Sequence, residues 1–267
     1  MLTIDSLTLA YGDKPVLRDV SLPVLPTGAL VGVLGPNGSG KSTLLRALAG
    51  LMAHDGQVLL DTEPLSGMDR AQRVRRIGYL PQDLPQASSL VGYEAVMSAC
   101  RAVRTDWSRR EVEKACARIF EHLDLMPLAF RPLGRLSGGE RQMIGLAQVM
   151  VRDPRLFLLD EPTSALDLKR QVAVLSAVRS AVRASDGLCL AALHDINLAL
   201  RHCDLIALLS HGSLIAFGPA EGTLTPALLR RAYGIEGRIE TCSRGRPLVI
   251  VDAVTDAPAA MARASQS

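Results

Sequence analysis

ALVGVLGPNGSGKST, residues 29 to 43, passes from a continuous apolar run into a glycine-rich loop and then into a helical pattern. The apolar run is the signature of a strand buried on both faces. GPNGSGKS (35 to 42) fits GxxxxGK[ST], with the strand before it and the helix after it that this motif requires. Gly35, Gly38 and Gly40 can take positive φ and bring backbone N–H groups close to phosphate oxygens, with Pro36, Asn37 and Ser39 completing the loop. The helix expected from about Ser42 to Leu51, with Thr43 in its first turn, adds free N–H groups and its dipole. Lys41 can reach the β and γ phosphates of a nucleotide, and the Ser42 hydroxyl can ligate Mg²⁺. The competing reading is a glycine-rich strand–helix turn with an incidental lysine. All the motif positions and the flanking pattern agree against it.

A second segment supplies carboxylates. LFLLDEP (156 to 162) reads as a buried strand from whose end Asp160 emerges, where ligands of parallel sheets bind. An aspartate there can hold Mg²⁺ through water, and Glu161 can orient or deprotonate an attacking water. The alternative for a bare Asp-Glu pair after an apolar run is a helix N-terminus. Pairing with the phosphate loop favours the catalytic reading.

Composition bounds the rest. The chain has 267 residues, enough for one large domain, or one domain with a small subdomain and a tail. It is 48% hydrophobic and 21% charged, as a protein with a sizeable core is. Aromatics are only 3%, so the core is aliphatic and a base-stacking nucleic-acid surface is not expected. A net charge of +3 argues for no polyanionic partner. The cysteines at 100, 116, 189, 203 and 242 are odd in number and lack CxxC spacing, which argues against a disulfide framework or zinc site and fits a reducing compartment. The N-terminus has no basic and apolar leader pattern. The charge-free stretch from Val20 to Gly40 is broken by Pro23, Pro26, Gly28 and Pro36, so no membrane crossing is expected.

Along the chain, residues 2–9 and 16–25 predict two antiparallel strands around a YGDKP turn. QVLLD (57 to 61) and IGYLPQ (77 to 82) predict further strands. Residues 89 to 135 show helical periodicity and no strand, a helical subdomain. A helix follows LSGGE to about Val151, and another spans about 166 to 184. LCLAAL (188 to 193) predicts a buried strand, Asp195 an N-cap, LIALLS and LIAF a hairpin. Strand–helix alternation predicts an α/β fold with a mostly parallel sheet. The tail from about 236 holds one apolar run, PLVIV, and its last ten or so residues are expected to be disordered.

GPNGSGKST, LSGGERQ (136 to 142), LLDEPTSALD and His194 after an apolar strand together resemble the nucleotide-binding subunit of an ABC transporter, in the same order over about residues 2 to 220. The resemblance implies a P-loop NTPase fold of the ABC type: a mostly parallel core sheet, an N-terminal antiparallel β subdomain, and a helical subdomain at about 89–151. The ATPase domain would span 1–235 and a C-terminal extension 236–267. It also implies ATP and Mg²⁺ as cofactors. Gln82 matches the Q-loop residue that contacts Mg²⁺ or water, Tyr11 the aromatic that stacks on adenine, and Asp167 the end of the SALD segment at a dimer interface. His194 matches the switch histidine that senses γ-phosphate. By themselves, Gln82, Tyr11 and His194 would read as a loop polar residue, an amphipathic surface residue and a structural histidine.

The resemblance further implies a homodimer in which Ser137, Gly138 and Gly139 of one chain cap ATP held by the other. A separate integral membrane permease would dock beside Gln82 and the 89–135 helices. A periplasmic binding protein would take part indirectly, with the cassettes on the cytoplasmic face of the inner membrane. TSALDLKRQ, LHDINLALRHCD and GSLIAFGPAEGTLTPALLRRAYGI resemble the cassettes of importers for ferric siderophores, haem and cobalamin. An iron chelate ranks first and cobalamin second. VGYEAVMSACR (91 to 101) departs from the TVxE-type segment such cassettes often carry. A non-transport ABC ATPase is the rival from another class, but its usual coiled-coil insertion, zinc motifs or second cassette are not in this sequence. A regulator without turnover could dispense with Glu161.

Overall fold

A computed structural model describes residues 1–84 and 89–255. The expected disordered end falls on residues 256–267, outside the described residues.

An N-terminal antiparallel sheet is built from β1 (Leu2–Tyr11), β2 (Lys14–Leu25) and, beyond the intervening β3 (Leu30–Leu34), β4 (Asp55–Leu60) and β5 (Glu63–Pro64), in the order β2–β1–β4–β5. In β1, Leu2, Ile4, Leu7 and Leu9 are all buried. The step of three from Ile4 to Leu7 would turn the second half of the strand outward. A register shift between them, with Ser6 at φ 52°, brings Leu7 back to the core face.

The central sheet adds β6 (Ile77–Leu80), β7 (Leu156–Asp160), β8 (Leu188–Ala192), β9 (Leu205–Ser210) and β10 (Ser213–Pro219). Its order is β10–β9–β3–β8–β7–β6, parallel throughout except at the β9–β10 hairpin. Every residue of β3, β7 and β8 is buried, as their unbroken apolar sequences predict. Period-two alternation divides these strands between two cores. Phe157 and Leu159 face a core shared with the helical subdomain. Leu156 and Leu158 face one shared with the N-terminal sheet. The second core includes Leu44, Leu45 and Leu48 of α1 (Lys41–Leu48).

Helix α2 (Arg70–Arg76) lies on the surface with no buried residue. The helical subdomain comprises α3 (Gly92–Arg101), α4 (Arg109–His122) and the start of α5 (Gly138–Met150). Between residues 89 and 135 the described backbone holds no strand, only a single bridge from Val91 to Pro132. Helix α6 (Leu168–Ala184) precedes β8, and Asp195 caps α7 (Ile196–His202) by accepting from the Leu198 amide at 2.9 Å. Beyond β10, α8 (Pro226–Tyr233) leads into a two-stranded hairpin, β11 (Ile235–Thr241) and β12 (Pro247–Val254). The Asn197 side chain fixes that hairpin, donating to the Val249 carbonyl at 3.0 Å and accepting from its amide at 2.8 Å. All five cysteines are free, and all but Cys242 are buried.

Candidate functional site

The turn from β3 into α1 leaves the helix N-terminus without a partner from its own side chains. Its N-cap, Gly40, has φ 103° and offers no side-chain cap, and the first turn carries no acidic residue. Lys41 stands at the positive end of the helix dipole instead, an unfavourable place for a cation unless an anion joins it. Its ammonium donates to the carbonyls of Gly35 at 2.7 Å and Pro36 at 3.1 Å. Burial holds the Lys41 pKa below the ordinary lysine range, although Glu161 and Asp160 oppose the shift. Gly35 is dictated sterically: at φ 146°, a Cβ there would lie 2.2 Å from the Leu209 carbonyl oxygen. The buried Ser39 hydroxyl has no protein partner.

The sheet delivers the carboxylates to the same place. Asp160 ends β7 fully buried, accepting from the Ser42 hydroxyl at 2.8 Å and from the Tyr79 hydroxyl at 3.3 Å. Burial raises its pKa, with the Ser42 hydrogen bond pulling the other way. Glu161 follows with φ 52°, a left-handed backbone uncommon for a residue with a side chain. One of its carboxylate oxygens accepts from the Gln82 amide at 2.8 Å; the other meets His194 Nε2. A cavity of about 480 Å³ is lined by residues 37–43 together with Val16, Gln82, Glu161 and His194. A nucleotide phosphate chain in it would meet the loop N–H groups on one side and the Glu161–His194 pair on the other.

The remaining sequence candidates lie elsewhere. Tyr11 is half-exposed at the end of β1, and its hydroxyl donates to the Met52 sulfur at 3.1 Å. Val16, not Tyr11, lines the cavity. Ser137 and Gly138 are exposed and also lie outside it. Ser137 caps α5 in a closed capping box: its hydroxyl accepts from the Glu140 amide at 3.3 Å, and the Glu140 carboxylate accepts from its amide at 2.8 Å. Gly139 is packed so closely that a Cβ would lie 2.5 Å from the Ala165 carbonyl. Asp167 is exposed and caps α6 through the Arg170 amide at 2.9 Å.

Two neighbours of the carboxylates, Tyr79 and Gln142, carry no sequence signal that ties them to the site. Tyr79 sits inside IGYLPQ, where its alternation read only as strand. Gln142 ends the quoted LSGGERQ, and no local pattern marks a buried glutamine that reaches across to another element.

This arrangement defines a P-loop ATPase of the ABC class, and residues 17–164 match the family model described as ABC transporter. The chain belongs to that family and is an ATP-binding, ATP-hydrolysing cassette. It is 41% identical to the hemin import ATP-binding protein HmuV of Pseudomonas putida, over 94% of this chain and 99% of that one. It is 40% identical to the protein of the same name from Bordetella pertussis, over 88% and 92%. Its fold superimposes on the ATP-binding subunit of an ABC transporter with a TM-score of 0.74 at 25% identity, over 86% of this chain and 92% of that one. An ATP-binding cassette solved as a dimer with ADP and phosphate superimposes at 0.73 and 25%, over 83% and 100%. Among the described residues, no helix is long and apolar enough to cross a membrane.

Proposed function

We propose that this chain is the ATP-hydrolysing subunit of a haem importer. It would work as a homodimer of cassettes on the cytoplasmic face of the inner membrane, bound to a separate permease that a periplasmic binding protein supplies. The observation that carries the enzymatic part is the Glu161 carboxylate, fixed between Gln82 and His194 over the phosphate loop. A carboxylate held there can orient and deprotonate the water that attacks the γ-phosphate. His194 on its far side can meet the phosphate oxygens, and Lys41 can exchange the Gly35 and Pro36 carbonyls for phosphate. Tyr11, half-exposed at the end of β1, is the residue proposed to stack on adenine.

The donor set suits Mg²⁺. Ser42 and Asp160 bring two oxygen donors within 2.8 Å of each other beside the phosphate loop, with the Gln82 amide nearby on Glu161. A small hard cation takes such oxygens and completes its shell from phosphates and water. Bound there, it would neutralise charge on the β and γ phosphates. Ser42, Asp160 and Gln82 are its proposed holders.

The exposed N-terminus of α5 supports the shared-site reading. Ser137, Gly138 and Gly139 do not line their own chain's cavity, which is what a site completed by a second copy requires. Closure on ATP and opening after hydrolysis then follow from higher nucleotide affinity in the closed dimer. Haem as cargo rests on the hemin-import relatives, which match nearly full length. Ferric siderophores and cobalamin are the other cargoes. Growth of cells lacking this chain separates them: loss of growth on hemin as the iron source, with siderophore use and cobalamin uptake intact, supports haem. Unimpaired growth on hemin would overturn it.

A further inference from the structure

Gln142 lies five positions beyond Ser137 on α5, roughly 7.5 Å along the helix axis at 1.5 Å per residue. It is only 4% exposed, and its side-chain amide donates to the Glu161 backbone carbonyl at 3.2 Å. That carbonyl also accepts from the Ser164 hydroxyl at 3.2 Å and the Ser164 amide at 3.3 Å. The peptide so gripped belongs to a residue at φ 52°, a conformation that persists only where the surroundings over-determine it. The direction of this carbonyl fixes the Cα–Cβ direction of Glu161, and hence where its carboxylate meets Gln82 and His194. Ser164 is part of the same turn and would move with it. Gln142 is the donor that comes from outside the turn, and it comes from the helix whose other end presents Ser137.

We infer that Gln142 is a positioning residue for Glu161, holding the catalytic carboxylate of its own chain to the helix that contacts the partner's ATP. The inference rests on the shared-site reading proposed above. Helix α5 thereby serves two sites at once: its first turn faces nucleotide on the partner, and its second turn sets the geometry of hydrolysis at home. The close approach of Gly139 to Ala165 makes the first turn of α5 and residues 161–165 one packed unit. A shift of α5 on meeting phosphate is therefore felt at Glu161 rather than absorbed between them.

Differently tagged chains test this by marking which site is read. In every heterodimer one chain carries Glu161→Gln, so hydrolysis reports only the site of the other chain. In the first arm Gln142→Met, similar in shape but with no donor, is placed in the chain with intact Glu161. The single-turnover rate should fall about tenfold, less than the roughly 100-fold that a 1 Å misplacement can cost, while ATP affinity stays within about twofold. In the second arm Gln142→Met is placed in the Glu161→Gln chain, whose α5 caps the site being read. There the rate should stay within about twofold of the heterodimer lacking it. A loss in the second arm as large as or larger than that in the first would mean that the substitution merely deforms α5, and no loss in either would mean that Gln142 positions nothing. Both outcomes overturn the inference. If Gln142→Met fails to fold, Gln142→Asn, which withdraws the amide by one methylene, is read in the same arms. A Ser137→Arg substitution in the Glu161→Gln chain is the separate control. If it leaves the intact site's rate unchanged, the shared-site reading itself has failed, independently of Gln142.

Discussion

The loops before α1 and α5 both set glycine and serine at a helix N-terminus, and they differ in what the chain itself does with that terminus. Before α1 the chain leaves it open: no side-chain cap, no acid in the first turn, a lysine at its head and the Glu161 carboxylate across the cavity. Before α5 the chain closes the cap with its own Ser137–Glu140 box and turns the result outward. The first loop is the proposed anion site within one subunit. The second is a closed helix end, for which the proposed anion is the nucleotide of a second copy. Composition alone, glycines and a serine, does not separate the two; burial and capping do.

The largest effect expected comes from the carboxylate that only the first loop faces. Glu161→Gln keeps the size of the side chain and removes its basicity. Hydrolysis should fall at least about 100-fold, the low end of what a positioned base contributes, while ATP still binds and traps a stable dimer. Turnover and size-exclusion measurements check this. Near-normal turnover would place the base elsewhere.

Next in size is the test that joins the two loops. Lys41→Ala should weaken ATP binding about 10- to 100-fold, matching the roughly 1.5–3 kcal/mol of hydrogen bonds to charged groups. Ser137→Arg should block closure by filling the position phosphate must reach. A purified heterodimer of the two variants contains one doubly damaged site and one intact site if the loops act in trans. It should regain tight ATP binding and single-turnover hydrolysis at one site. Without such rescue the comparison fails, because both loops would then serve the same chain.

Glycine substitution sharpens the contrast within a single subunit. Gly35→Ala meets both a φ of 146° and the Leu209 carbonyl. It should cost at least about 2 kcal/mol of stability, within the range for strained backbone. At Gly138 the nearest atom to a new Cβ is the Ala165 methyl at 3.9 Å, so Gly138→Ala should change stability by less than about 0.5 kcal/mol. Urea unfolding of the nucleotide-free protein compares them.

The loops should also respond oppositely to pH. Burial raises the Asp160 pKa, so between the ordinary carboxylate range and that raised value the folded state holds a proton that the unfolded state has lost. Stability therefore falls as pH rises through that window, by at most about 1.4 kcal/mol per pH unit. Asp160→Asn should flatten that slope and abolish hydrolysis. Glu140 is shifted the other way, chiefly by the Ser137 amide, so its contribution is present above the ordinary range and lost as pH falls through its lowered pKa. A stability–pH curve for Asp160→Asn that matches the parent's would break this part of the contrast.

Much of this was legible in the sequence because long apolar runs and loop motifs carry strong local signals. The strands β3, β7 and β8, the phosphate loop and the Asp195 cap all follow from such runs. What was not legible lacks a local pattern. RAQRVRR forms α2 through an Asp69–Gln72 capping box, with no apolar face to betray it. IEGRIET becomes β11 only by pairing with the PLVIV strand that the sequence did reveal. α8 had a signal, Thr225 before Pro226, a cap followed by proline at the first helical position. At the site, the clustering of Gln82, Glu161 and His194 rests on the sheet order, which brings residues far apart in the chain to one edge. The Gln142 contact is tertiary in the same way.

The smallest effect expected is on α5 itself, and it tests whether the second loop's cap and its phosphate contact are separable. Ser137→Ala removes the hydroxyl that accepts from Glu140 and should cost about 1 kcal/mol, typical of a lost N-cap. Ser137→Asp replaces that acceptor with another good one, so stability should stay within about 0.5 kcal/mol of the parent. In the dimer, however, the new carboxylate would face the partner's γ-phosphate, and like charges repel. ATP-driven dimer formation, read in a Glu161→Gln background, should therefore be weaker in the aspartate variant than in the alanine variant, although the aspartate variant is the more stable monomer. That inversion is specific to a cap whose anion arrives from outside the chain. If both properties follow the same order, the outward-facing terminus of α5 has only a structural role, and the distinction between the two loops reduces to one of burial.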